Sequence, residues 1–102
     1  MNKPKVTLLS RAQSDLSECV NYLLNVSEEA ATKLAKDIFE AIDLMALYPQ
    51  KNPIFEMPKT FTFIVRKQVV NKRYIILYPE VLTEIFIYRI LDARRNFDGL
   101  LE

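Results

Sequence analysis

The hydrophobic period of this chain switches from helical to strand-like midway along it, and that switch limits the fold more than any other feature. Before Tyr48-Pro49 apolar residues recur at helical spacing; after Thr60 the apolar segments are rich in aromatic and β-branched residues, the composition of strands. Between them stand Pro49, Pro53 and Pro58, which suit an irregular crossing loop and not a helix or a central strand. A helical block followed by a strand block predicts an α+β layer architecture.

The helical block reads as a hairpin. Lys5-Val6-Thr7-Leu8-Leu9 forms a short opening strand, and Ser10 with Gln13 three residues later matches the capping box that starts a helix. Ala12, Leu16, Cys19, Val20, Leu23 and Leu24 then make one apolar stripe. Cys19 lies inside that stripe and reads as a small core hydrophobe. Ser27 is a natural N-cap with Glu28 and Glu29 in the first turn, where carboxylates suit the helix dipole. Ala31, Leu34, Ala35, Ile38, Ile42 and Met45 continue a second stripe to Tyr48-Pro49. The link between the helices is short enough to require an antiparallel pair.

The strand block reads as three strands: Phe61 to Lys67, Arg73 to Tyr78, and Leu82 to Leu91, separated by breaks at Asn71-Lys72 and Pro79-Glu80. The last two are apolar at nearly every position, as central strands covered on both faces are. The expected order is β-α-α-β-β-β over a single domain of residues 1–102, the helical hairpin packed on one face of a small, mainly antiparallel sheet. The tail from Asp92 to Leu101 has room for a final turn of helix.

Composition excludes several function classes. The chain has 102 residues with no His, one Cys and one Gly. Without His there is no Ser-His or Cys-His arrangement and no His-ligated metal, and one Gly forbids both the dinucleotide fingerprint and the P-loop. No cofactor and no metal are expected. A lone Cys allows no internal disulfide, no apolar run reaches the roughly 18 residues of a membrane span, and the N-terminus lacks a signal-peptide pattern. The expected address is the cytoplasm. Net charge is +1, with the basic excess in the C-terminal half, where an acidic partner would meet it.

Three local patterns, in order, resemble the RelE/ParE superfamily of toxins from type II toxin–antitoxin modules, also called plasmid-stabilisation proteins. They are Val6-Thr7-Leu8-Leu9-Ser10 with Ala12 and Asp15-Leu16; Arg66 followed by Arg73-Tyr74-Ile75-Ile76-Leu77-Tyr78; and Ile85 to Leu91 leading into Ala93-Arg94-Arg95. The second is similar to the ParE-like branch. The resemblance implies a growth-inhibiting toxin neutralised by a cognate antitoxin in a toxin–antitoxin hetero-oligomer. ParE-like members inhibit DNA gyrase by binding; RelE-like members are ribosome-dependent mRNA endoribonucleases; a third reading is a fold relative without toxicity. Many relatives carry histidine where this chain has Asp92, and often close the tail motif with aspartate where it has Asn96.

The side chains on offer frame the choice. Cleavage of RNA by its own 2′-hydroxyl needs a base, an acid and positive charge against the phosphorane. The catalytic candidates are Arg66, Arg73, Tyr78, Arg89 and Asp92, with Glu84 a second carboxylate; Arg73, Tyr74, Tyr88, Arg94 and Arg95 are candidates for contact with target or antitoxin. A tyrosine base, normally titrating near ~10, would have to be lowered strongly by arginines. Alternation puts Tyr74, Ile76 and Tyr78 on one strand face, where they also suit a core. Arg89, set between Ile87 and Leu91, needs an anion or carbonyl partner, and internal pairing with Glu84 or Asp92 would supply one. The long second helix, the Arg-Tyr strand and the modest charge favour gyrase binding over RNA cleavage.

Overall fold

A computed structural model describes residues 5–57, 62–79 and 84–94. The elements are β1 (Lys5–Leu8), α1 (Ser10–Leu24), α2 (Glu28–Leu47), β2 (Ile54–Phe55), β3 (Val65–Val70), β4 (Tyr74–Pro79), β5 (Glu84–Ile87) and β6 (Arg89–Asp92). One ladder runs β2-β3-β4-β6 with every pairing antiparallel; a second joins β1 to β5 in parallel. Since β5 and β6 are consecutive in the chain, their stretch links the two ladders.

The helices form as their stripes predict, with one difference in how α1 begins. Leu9, not Ser10, is the N-cap; it is extended and offers no side-chain cap. The Leu9 N–H is used by the Ile87 carbonyl at 3.0 Å and its carbonyl accepts from Gln13 N–H at 3.0 Å, so strand passes directly into helix. Gln13 does not complete a capping box but donates through Nε2 to the Leu8 carbonyl at 2.9 Å. At α2 the Ser27 hydroxyl accepts from the Ala30 N–H at 3.2 Å, with Glu28 and Glu29 in the first turn as expected. Ala31, Leu34, Ile38, Ile42 and Met45 are all buried, and Cys19 is partly buried against the same core.

The sheet has two apolar faces. Tyr74, Ile76 and Tyr78 of β4 point into the helix-covered core with Ile85, Ile87 and Ile90. On the other face Val65, Leu77 and Leu91 are buried under Phe55 and Met57, part of the proline-rich crossing. That crossing holds the two-residue edge strand β2, which its prolines had disguised. It is anchored by polar groups: Tyr78 Oη donates to the Pro49 carbonyl at 2.7 Å, Asn52 Nδ2 donates to Tyr78 Oη at 3.0 Å, and Arg66 Nη1 donates to the Asn52 carbonyl at 2.6 Å.

Strand limits differ from expectation in two places. β3 begins at Val65 and continues to Val70, later than the run starting at Phe61, and Phe61 lies outside the described residues. The last strand is split: Leu82 and Thr83 lie outside the described residues, and from Glu84 the run breaks at Tyr88. Tyr88 N–H donates to the Leu77 carbonyl at 2.8 Å while Arg89 is the register partner of Leu77. Two residues therefore face one, which is a β-bulge, and the alternation shifts by a residue beyond it.

Both outer edges of the sheet carry a glutamine. Gln13 occupies the Leu8 carbonyl on β1. On β3, Lys67 N–H reaches the Pro53 carbonyl at 3.0 Å, so Val69, two residues on, also turns its backbone outward, and Gln68 Nε2 donates to the Val69 carbonyl at 3.2 Å.

The β3–β4 turn has positive φ at Asn71 (54°) and Lys72 (57°). This is the signature of a type I′ hairpin, which asparagine tolerates and lysine does not favour. Asn71 Nδ2 donates to Asp37 Oδ2 at 2.8 Å, fastening the turn to α2. The Lys33 hydrogen bond first, then that of Asn71, holds the Asp37 carboxyl below its ordinary value. Lys72→Gly should raise stability by about 1 kcal/mol and the melting temperature by roughly 4–8 °C, read by thermal denaturation. An unchanged melting point would show that the turn carries no left-handed cost.

Candidate functional site

The sequence-predicted residues divide among three places. Arg73, Tyr74, Asp92 and Arg94 come together at the end of β4 and β6, beside α1. Arg66 and Tyr78 hold the crossing loop instead, through the bonds to Asn52 and Pro49 given above, and Tyr88 packs into the cluster on the opposite sheet face. Arg95 lies outside the described residues, as does the rest of the tail that had room for a helical turn.

Arg89 is 4% exposed and is the one buried charged residue among those described. Its partner is Asp15 of α1, not Glu84 or Asp92. Nε reaches Asp15 Oδ2 at 2.7 Å and Nη2 reaches Oδ1 at 2.9 Å, while Ile90 N–H donates to Oδ2 at 3.0 Å. The bulge explains the difference: Leu91 turns to the opposite face, and both Arg89 and Ile90 are left meeting the helices. The hydrogen bond to Asp15 raises the guanidinium's affinity for its proton against the opposing effect of burial. A sequence signal existed in Asp15, an acid three residues after Ala12 and four before Cys19, bordering the apolar stripe of α1.

Arg73, from the turn before β4, lies across the Tyr74 ring with its guanidinium carbon 4.9 Å from the centroid. Its Nη2 donates to Asp92 Oδ2 at 3.0 Å and its Nε to the same oxygen at 3.3 Å. The register explains the contact, because Tyr74 is paired with Asp92 and Ala93 N–H donates to the Arg73 carbonyl at 2.6 Å. Arg94 shares the carboxylate: its backbone N–H donates to Asp92 Oδ1 at 3.0 Å, and its Nε stands 3.6 Å from the same oxygen.

Two adjoining hollows of about 400 and 450 Å³ flank this group along α1, and Glu18, Cys19 and Asp92 border both. Tyr22, 58% exposed, forms the outer lip of the larger. Burial pushes the Tyr74 phenol above its ordinary value, Arg73 opposing and Cys19 and Asp92 adding to the rise. The α1 contributors Glu18 and Tyr22 have no signal in the strand motifs, since they belong to the site only through packing.

The model of the "ParE toxin of type II toxin-antitoxin system, parDE" matches residues 6–97. The chain belongs to the ParE toxin family. Its fold is similar to that of a chain in the solved structure "Chromosomal ParDE TA system from P. aeruginosa", with a TM-score of 0.69 at 19% identity, covering 89% of this chain and 97% of that one. No curated protein matches the sequence significantly. The α+β fold expected for a ParE-like toxin is thus the one observed, with the last strand of this family member divided. No helix among the described residues is long and apolar enough to cross a membrane.

Two measurements follow from the site. Asp15→Asn leaves the Arg89 charge buried without its counter-ion and should cost about 3–5 kcal/mol in urea unfolding, whereas Asp15→Leu with Arg89→Met should recover most of that loss. A cost below about 1 kcal/mol would place the pair among weak surface bridges. The Tyr74 phenol keeps its proton to higher pH in the fold than in the unfolded chain. Folding stability should therefore fall as the pH rises past the ordinary tyrosine value of about 10. Absorbance titration should show a late-ionising phenol that is missing in Tyr74→Phe.

Proposed function

We propose that this ParE-family toxin acts by binding: it inhibits growth through DNA gyrase and is neutralised by a cognate antitoxin in a hetero-oligomeric complex. The observation that carries this reading is that Asp92, standing where many relatives carry histidine, is held by Arg73 and Arg94. A nuclease needs a base that works near neutral pH, and the phenol beside Arg73 is shifted away from that range by burial. Two of the three described carboxylates lining the cleft are committed to arginines, Asp92 to Arg73 and Arg94 and Asp15 to Arg89, while Glu18 is the third. What remains outward in the cleft is suited to recognition, namely Tyr22 and the 61% exposed Arg94 side chain.

Binding of a protein target needs shape, an aromatic anchor and a few charges, and no proton transfer. In this reading Arg73, Arg94 and Tyr22 form the working surface, with Arg95 following in the chain; Tyr74, only 4% exposed, backs Arg73 from the core and is not itself a contact residue, and Tyr88 lies on the far face. The antitoxin covers the α1 cleft or adds to a sheet edge, by the helix-in-groove and strand-addition modes. The setting is the cytoplasm, where gyrase is met. RNA cleavage is the rival reading.

The test is induced expression with two readouts. Gyrase-linked DNA cleavage complexes and filamentation are expected; translation arrest with messages cut at codon positions would select the ribonuclease instead, and unimpaired growth would leave the non-toxic relative. Arg94→Ala should weaken gyrase binding by roughly tenfold or more, the effect of losing one charge-assisted contact. Co-expression of the neighbouring gene's product should restore growth.

A further inference from the structure

The carboxylate of Asp92 lies among donors arranged as an anion site. Arg73 brings Nη2 to 3.0 Å and Nε to 3.3 Å of Oδ2, and Arg94 brings its backbone N–H to 3.0 Å and its Nε to 3.6 Å of Oδ1. Convergence of guanidinium and amide donors on one centre is how proteins hold phosphate as well as carboxylate. Here the occupant is supplied by the chain itself. The open hollow of about 450 Å³ beside it has room for a larger ligand, with Tyr22 in its lining and Tyr74 beneath Arg73.

We infer that Asp92 is a built-in plug in a phosphate-type anion seat formed by Arg73 and Arg94, and that it keeps phosphate-bearing ligands out of the toxin's cleft. Charge supports the assignment. Of the side chains lining the larger hollow, Arg73 and Arg94 are offset by Asp92 and Glu18. A phosphate approaching the wild-type cleft therefore meets no net attraction and finds Arg73 Nε and Nη2 and the Arg94 backbone N–H already used, with the Arg94 guanidinium drawn to the same carboxylate by charge. Removing the Asp92 charge frees those three donors, releases the Arg94 guanidinium from its counter-ion and leaves the hollow with one excess positive charge. The 3.6 Å spacing and 61% exposure of Arg94 mark it as the donor most easily turned toward a new anion. The inference deepens the proposed binding function, on which its biological meaning rests, because a plugged seat favours a protein target over nucleic-acid phosphate.

Inorganic phosphate titrated into the purified full-length protein tests it, with backbone amide and arginine Nε resonances followed by NMR. Wild type should show no saturable shift, whereas Asp92→Ala should bind phosphate at least about tenfold more tightly, with the largest shifts at the Arg94 amide and Arg73 Nε. Adding Arg94→Ala to that variant should abolish the gain. Equal affinity in wild type and Asp92→Ala would overturn the plug, and so would a folded Asp92→Ala that binds no phosphate. If loss of the side chain unfolds the protein, Asp92→Asn, which keeps its volume, is read by the same criteria. Because the titration uses purified protein and no gyrase, its failure is separate from failure of the growth assay.

Discussion

The fold closes on one buried ion pair. Asp15 and Arg89 are 74 residues apart, one on the first helix and the other on the last strand. Their pairing is supplemented by the Ile90 N–H on the same carboxylate. An arginine this deep in the protein would be intolerable without a counter-ion, and the pair repays its desolvation only because its geometry is bidentate. The bulge at Tyr88 makes the geometry possible. It gives up one residue of regular ladder and in return aims Arg89 at α1 while Tyr88 and Leu91 fill the other face. The position of α1 over the sheet end, and hence the cleft beside it, depends on that local irregularity.

The cleft inherits a second arrangement of the same kind, less buried and less symmetric. One carboxylate serves two arginines, one of them flat against an aromatic ring and the other largely in water. The two acid–base networks sit side by side along α1 and do opposite things. The inner one is closed and holds the architecture; the outer one is open on one side, so its members can exchange partners without disturbing the core.

Much of this was legible in the residues, and the failures have physical causes. The helical stripes and the Ser27 cap were readable because each is a local pattern with a fixed period. So was the face shared by Tyr74, Ile76 and Tyr78, since β4 is regular along its length. The partner of Arg89 was not readable, because strict alternation put Arg89 with Ile87 and Leu91, and nothing in Ile87-Tyr88-Arg89 announces a bulge. The start of α1 was misread because Ser10 and Gln13 fit a capping box, whereas the strand's own hydrogen bonding places the cap at Leu9. In the candidate site, Arg73, Tyr74, Asp92 and Arg94 were named from the strand block, and the structure shows only that they lie side by side. Glu18 and Tyr22 reach the cleft through tertiary packing, which no motif in this sequence encodes.

The glutamines at the two sheet edges bear on how such a chain behaves when free. An open strand edge invites copies of itself to add on, and the usual defences are charge, proline or a covering helix. Here, where no further strand follows among the described residues, an amide side chain imitates the backbone of a neighbour, at Leu8 on one border and at Val69 on the other. A second molecule must first displace those amides, so self-templated growth meets a kinetic toll at each end of the sheet. The two shields differ in hold: Gln13 can swing away by its own torsions, whereas Gln68 must also release Asn52, whose Nδ2 donates to its Oε1 at 2.8 Å, so that border is tied to the crossing loop.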